Sequence, residues 1–162
     1  MSGAGKTTLA KALMPLMPHP RLLLDGDEMR NALELLAGGY DQESRLKLAL
    51  TYARLCLLAS EQGQNVICAT ISMFHEVHNW NRANLPNYYE VFLDPPEELI
   101  KKRDYKRVYT RLNEPVMGQS LAPQFPLTPD MHLTDPHMDA SEAAKVIVIS
   151  LRDRGFSVTE AG

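Results

Sequence analysis

At 162 residues, with 17 basic against 20 acidic side chains and a net charge of −3, the chain is long enough for one domain with a sizeable core. An isoelectric point near 5.9 and the lack of a basic stripe exclude an electrostatic nucleic-acid binder. No apolar run reaches membrane-spanning length and no secretory signal pattern opens the chain, so the cytoplasm is the expected compartment.

The first element carries chemistry. Residues 2–8, Ser-Gly-Ala-Gly-Lys-Thr-Thr, match the second half of Gly-x-x-x-x-Gly-Lys-Ser/Thr, the phosphate-binding P-loop. Gly5, Lys6 and Thr7 fall on its last three positions and Met1 on its second. The opening glycine and the strand that leads into such a loop are not among these residues, so a shortened N-terminus is expected, with the first strand missing. Backbone N–H groups from Ser2 to Lys6 can curl around phosphate oxygens, because Gly3, Ala4 and Gly5 are small. A helix starting near Lys6 points its positive end at the same anion. Lys6 would reach the β- and γ-phosphates, the Thr7 hydroxyl would ligate Mg²⁺, and Thr8 completes the nucleotide-binding run. ATP and Mg²⁺ are the expected cofactors. The alternative is a small-residue terminus that feeds a helix by chance.

Further along, Pro15, Pro18 and Pro20 stop a short helix over Thr7 to Met14. Arg21 to Leu24 reads as a strand ending at Asp25, and Asp27 to Leu36 as a helix closed by Gly38-Gly39. Asp41 or Ser44 caps a long helix to about Gln62, with Leu46, Leu50, Ala53 and Leu57 as its core stripe. Asn65 to Ile71 is a buried strand, Glu76 to Asn84 a helix, and Tyr88 to Leu93 a strand. Pro96 opens a helix through Arg103, Met131 to Leu133 is a short strand, and Ser141 to Arg154 is the last helix. Phe156 to Thr159 is expected to add an edge strand. Strands alternating with helices predict an α/β fold, a parallel sheet with helices on both faces, in one domain over residues 1–162. Ligands in such sheets bind at the carboxyl ends of strands, where Asp25, Ser72 and Asp94 fall. The Pro-rich, basic stretch at about 104–127 reads as a lid rather than a passive connection.

Several groups could do chemistry or merely build structure. Asp25 and Asp27, with Arg30 one turn on, could hold Mg²⁺-bound water or accept a proton from an attacking hydroxyl; Asp at this place is also a plain helix N-cap. Arg103, Lys106, Arg107 and Arg111 form a basic cluster that a lid would bring to the transferring group, or that simply complements a helix end. His75 and His78 lack a third ligand at metal-binding spacing. Phe74 and Trp80 read as packing, and Cys56 and Cys68 as reduced core thiols.

Taken in order, these motifs resemble the adenylylsulfate kinase family over nearly the whole chain. The likeness rests on the P-loop, Leu24 to Arg30 (Leu-Asp-Gly-Asp-x-x-Arg), Gly39-Tyr40 with Arg45, Ala69-Thr70-Ile71-Ser72, Glu90 to Asp94, and Arg103 to Tyr109. The resemblance implies a P-loop kinase that moves the γ-phosphate of ATP to the 3′-hydroxyl of adenosine 5′-phosphosulfate, in sulfate assimilation. It implies Lys6 and Thr7 on ATP and Mg²⁺, and Asp25 as general base or ligand to Mg²⁺-bound water, with Asp27 beside it. Arg30 and Arg45 would hold the acceptor's anionic end, Tyr40 would stack on its base, and the Ile71–Ser72 backbone would contact it. Arg103 and Lys106 would serve the ATP side. The partner is a small-molecule nucleotide, with no nucleic acid or membrane, and a homodimer is compatible with the pattern.

Departures from the family pattern all lie on the acceptor side. Leu48 stands where the family has Asn, Val116-Met117-Gly118 where it has Phe-Thr-Gly, and Met73 where it has Pro. Relatives with a segment like Trp80-Asn81-Arg82 include cytidine diphosphoramidate kinases of capsule phosphoramidate synthesis, the second expectation. A non-catalytic nucleotide-binding remnant is a third, of another class; the intact Lys6, Thr7, Asp25, Asp27 and Arg103 argue against it.

Overall fold

The computed structural model describes residues 3–33, 41–100, 122–135 and 137–158. Gly5, in the left-handed region at φ 91°, precedes α1 (Lys6–Leu13), which passes into a 3-10 turn at Met14–Leu16 around Pro15. Strand β1 (Arg21–Asp25) runs directly into α2 (Gly26–Ala32), capped by the Asp25 side chain. Helix α3 (Gln42–Glu61) is capped by Asp41, whose carboxylate accepts from the Ser44 amide at 3.0 Å and its hydroxyl at 2.7 Å. Strand β2 (Asn65–Ala69), α4 (His75–Asn84), β3 (Val91–Leu93), β4 (Met131–Leu133) and α5 (Ala140–Asp153) follow. A reciprocal Asp139–Glu142 capping box starts α5. Residues 97–100 begin the helix expected after Pro96.

Both strand pairs are parallel. β1 pairs with β2 from Arg21↔Asn65 to Asp25↔Ala69, and β3 with β4 from Val91↔Met131 to Leu93↔Leu133. Among the described residues these form two separate two-stranded sheets. Helices cover both faces. On one, Leu9 and Leu13 of α1 meet Ala144, Ile147 and Leu151 of α5, over Ile67, Val91 and Leu93. On the other, Ala49 of α3, Val77 of α4 and Phe92 of β3 pack together with Met73 and Phe74. A third cluster, Met29, Leu48 and Tyr52, joins α2 to α3 over Leu24. This is the expected α/β architecture.

Several boundaries differ for visible reasons. α2 ends at Ala32, short of the expected Leu36, and Gly38-Gly39 lies outside the described residues. The buried face of α3 is Leu48, Ala49, Tyr52, Ala53 and Cys56, which shares only Ala53 with the expected stripe of Leu46, Leu50, Ala53 and Leu57. The helix wedges between two clusters, so Leu46 and Leu50 only rim one of them. β2 leaves its ladder after Ala69 because its partner ends at Asp25. β3 is shorter than Tyr88–Leu93 because the Glu90 amide is taken by the Asp130 carboxylate at 2.8 Å. Residues 156–158 form no strand; Phe156 and Val158 instead pack against the α1–α5 cluster. Most of the expected lid, with Arg103, Lys106, Arg107, Arg111 and Val116-Met117-Gly118, lies outside the described residues, as do Ser2 and Tyr40.

Cys56 is buried in α3, whereas Cys68 of β2 is exposed, against the expectation of two core thiols. Its neighbourhood is protein on one side and a slot between β2 and β3 on the other. The hydrogen bond that the Cys68 thiol donates to Cys56, together with desolvation, pushes Cys68 well above its usual value, and the same bond lowers Cys56.

Candidate active site

The site is built where the start of α1 meets the end of β1. The positive φ of Gly3 (73°) and Gly5 (91°) turns the loop back so that α1 starts at Lys6 with no side-chain cap from Gly5. Thr7 follows on the first turn, and its hydroxyl donates to Asp25 Oδ2 at 2.6 Å. This is a short, charge-assisted bond between residues 18 apart in sequence. Asp25 Oδ1 accepts the Asp27 amide at 3.0 Å. The N-cap and site readings of Asp25 are thus both realised in one side chain.

Asp25 is buried, at 5% exposure. Burial alone would raise its pKa. The Thr7 hydroxyl, the Asp27 and Glu28 amides and the Lys6 ammonium outweigh it and hold the carboxyl below the ordinary value of 3.8. The side chain is therefore an anion at neutral pH with both oxygens engaged. Such a group suits a metal-bound water better than an incoming proton.

Asp27 and Arg30 lie on the first and second turns of α2, Asp27 exposed and Arg30 half-buried. Gly26 lets this helix start hard against β2: a Cβ there would stand 3.3 Å from the Ala69 carbonyl oxygen and 3.4 Å from Thr70 Cα. That close approach brings Thr70, Ile71 and Ser72 to the same rim as Asp25. Thr70 and Ser72 share a hydroxyl–hydroxyl bond of 3.0 Å. Arg45 is half-buried in the first turn of α3. Leu48, one turn on, is buried against Met29 and Tyr52.

Residues that sequence reasoning left out also shape the rim. Tyr52 reaches back from α3 to the Gly26 carbonyl at 3.3 Å, which ties α3 to the start of α2. Gln124 clasps the loop after β2: its amide donates to Met73 O at 3.0 Å and its side chain accepts the His75 amide at 2.8 Å. The His75 ring meets Phe125 O at 3.0 Å and the His78 ring meets Ser72 O at 2.7 Å, so both imidazoles serve the loops. Arg82 bonds Asp130 at 2.8 Å, Glu90 at 3.1 Å and Thr128 O at 2.9 Å, and Arg154 joins the same Asp130 carboxylate. The Trp80-Asn81-Arg82 segment therefore anchors residues 128–130 to α4 and does not present Arg82 as an open ligand. The sequence signal for this network was the alternation of Tyr88, Glu90 and Asp130 with apolar neighbours, too generic to read without the fold.

An anion-cradling loop, a lysine at the head of a helix and a hydroxyl–carboxylate pair at the end of a parallel strand define a phosphotransferase of the P-loop kinase fold. The sequence profile of the adenylylsulphate kinase family matches residues 1–134, and the chain belongs to that family. A cytidine diphosphoramidate kinase of Campylobacter jejuni is 39% identical over 114 residues, a match that spans 68% of this chain and 66% of that protein. An adenylyl-sulfate kinase of Burkholderia ambifaria is 33% identical over 165 residues, spanning 93% and 88%. In fold, the Mycobacterium tuberculosis APS kinase CysC, solved with AMPPNP and APS, superposes with a TM-score of 0.80 at 24% identity, covering 94% of this chain and 93% of that one. The chain is a nucleotide kinase. Among its described residues no helix is long and apolar enough to cross a membrane.

Proposed function

We propose that the chain transfers the γ-phosphate of ATP to the 3′-hydroxyl of a nucleotide, and that the acceptor is a cytidine nucleotide of the diphosphoramidate class. The Thr7–Asp25 pair carries the first half: a hydroxyl and a buried carboxylate 2.6 Å apart at the mouth of a phosphate loop. Mg²⁺ fits this donor set, since it takes few protein ligands and keeps phosphate oxygens and waters for the rest. Thr7 would hold it directly and Asp25 through water, and it would neutralise charge on the β- and γ-phosphates. Lys6 binds the same phosphates. Asp25, held as an anion by its donors, takes up a proton poorly. Asp27, exposed two residues on, would face the attacking hydroxyl and accept its proton. Arg30 and Arg45 would hold the acceptor's anionic end, with the Ile71–Ser72 backbone and Tyr40 on its nucleoside. ATP-side roles for Ser2, Gly3, Ala4, Gly5, Thr8, Arg103 and Lys106 belong to the same proposal.

Leu48 carries the second half. It stands where the family has Asn and so offers no amide to a base, and the cytidine diphosphoramidate kinase is the more identical of the two relatives. The reading with adenosine 5′-phosphosulfate as acceptor keeps its own support, the adenylylsulphate kinase profile over residues 1–134. Competing the two acceptors in one assay decides between them. A preference above ~100-fold for the adenosine compound, about 2.7 kcal/mol, would replace the first reading with the second. Lys6→Ala should cut turnover at least ~100-fold with the better acceptor. Near-normal turnover in that variant, or bound ATP with no transfer to either acceptor, would sink the kinase mechanism itself.

A further inference from the structure

Strand β2 leaves its ladder at Ala69, where its partner β1 ends at Asp25. Residues 70–74 are neither strand nor helix, and the first three of them share the rim with Asp25. Strand pairing therefore does not fix this backbone. Left loose, it would have to be ordered by whatever binds there, at a cost in conformational entropy. Proline, which stands at position 73 in the family pattern, would lock one torsion; Met73 leaves it free. Helix α4 gives no help from its own first residue, because Phe74 at the N-cap makes no side-chain cap.

Two side chains take over that task. Gln124 accepts the His75 amide at 2.8 Å and so caps α4 from 49 residues away. His78, on the first turn of α4, folds its ring back until Nε2 lies 2.7 Å from Ser72 O. The other acceptor nearby, Glu90 Oε1, stands 3.9 Å from Nε2, beyond hydrogen-bond reach. A carbonyl oxygen only accepts, so Nε2 carries the ring proton and donates it to Ser72 O. The Phe74 amide donates to the same oxygen at 3.0 Å. Two donors on one carbonyl set the plane of the Ser72–Met73 peptide, and the rigid trans bond turns the Met73 amide the opposite way. This tautomer leaves Nδ1 as a buried acceptor with no partner among the described residues. The ring thus holds Ser72 at the expense of its own second nitrogen, an arrangement that plain core packing does not call for.

We infer that His78 is a positioning residue for the acceptor nucleotide: its Nε2–H holds the Ser72 carbonyl and sets the Ile71–Ser72 backbone before the acceptor arrives. The inference rests on the reading of that backbone as an acceptor contact. ATP should not feel the bond, since the phosphate loop takes its shape from Gly3, Gly5 and the Thr7–Asp25 pair.

The test compares His78→Gln with His78→Leu. Gln can set its amide nitrogen near the place of Nε2 and keep a donor for Ser72 O; Leu has comparable bulk and no donor. Initial rates are measured with adenosine 5′-phosphosulfate and with cytidine diphosphoramidate, and hydrogen exchange at residues 72–75 is read without any nucleotide. In the Leu variant the Phe74 amide should exchange at least ~10-fold faster. Its KM for the acceptor in use should rise at least ~10-fold, with kcat within about threefold and the KM for ATP within about twofold, the pattern of lost ground-state binding on one side only. The Gln variant should stay within about threefold of the parent in each quantity. Unchanged exchange in the Leu variant, equal impairment of the Gln variant, or a matching rise in the KM for ATP would overturn the inference. Faster exchange with an unchanged acceptor KM would also overturn it, and would trace the failure to the reading of Ile71–Ser72 as an acceptor contact rather than to the His78 bond.

Discussion

Replacing Asp25 by Asn separates two jobs that one side chain performs at once. As the cap of α2, Oδ1 accepts the Asp27 amide at 3.0 Å; as a charged acceptor, Oδ2 holds the Thr7 hydroxyl at 2.6 Å. Asn keeps the first, since it caps helices as well as Asp. It inverts the second. With its oxygen on the cap, the amide points an N–H at the Thr7 oxygen, which must turn from donor to acceptor. A hydrogen bond to a charged group contributes about 1.5–3 kcal/mol and a neutral one about 0.5–1.5, so the exchange should destabilise the fold by about 1–2 kcal/mol at neutral pH. The sign with pH follows from the depressed pKa. The parent's advantage is complete above the ordinary carboxylate value of 3.8 and fades only as pH falls through the lowered value in the fold. Parent and variant should therefore converge in stability in acid, well below pH 3.8. Catalysis should suffer far more. If the charge orients a Mg²⁺-bound water, its loss should cut turnover at least ~100-fold, about 2.7 kcal/mol, and raise the Mg²⁺ needed for half-maximal rate. Urea unfolding at two pH values and an ADP-release assay over a Mg²⁺ titration measure both effects. Turnover within threefold of the parent, at an unchanged Mg²⁺ requirement, would refute the role given to Asp25.

Asp130→Ala removes the carboxylate shared by Arg82, Arg154 and the Glu90 amide, and should destabilise by about 2–3 kcal/mol in urea, less than a fully buried pair because both arginines are partly in water. ATP affinity should change less than about twofold, since this network lies away from the phosphate loop; a larger change would tie it to the donor site. Gly26→Ala sets a Cβ 3.3 Å from the Ala69 carbonyl, a backbone atom that cannot swing aside, so a net loss near 1 kcal/mol is expected despite the better helix former. A raised melting temperature in that variant would show that the α2–β2 approach has slack.

What the sequence made legible was whatever the backbone alone dictates. The glycines of the phosphate loop, the Asp25 cap and the Asp41 cap each encode a local conformation, and each lies where expected. The order of strands and helices was legible for the same reason, because periodicity is local. Features set by distant partners were not. The α3 stripe was displaced because two clusters compete for one helix. β3 was shortened because Asp130, 40 residues downstream, captures the Glu90 amide. Gln124 and His75 form a clasp 49 residues apart that no spacing rule foresees. Arg82 illustrates a motif without a role: as part of a short segment it marked a branch of relatives, and the fold shows its guanidinium bonded to Glu90, Asp130 and Thr128.

The same division explains why the donor half of the site can stay fixed while the acceptor half changes. On the donor side the proposed ligands are backbone amides, Lys6 and one hydroxyl, placed by left-handed glycines at the start of α1, and a substitution at those glycines disturbs the conformation itself. On the acceptor side the wall is made of helix side chains. Leu48 projects from the second turn of α3 into a cluster with Met29 and Tyr52; under the proposed function, a change there from amide to isobutyl would alter recognition of a base while leaving the helix in place. Arg30 and Arg45 start from the second turn of α2 and the first turn of α3, so the charges proposed for a 5′-anion would survive such a change. A kinase built this way can exchange its nucleobase by one or two side-chain substitutions while its phosphoryl chemistry stays as it was. That is the pattern of departures seen in this chain.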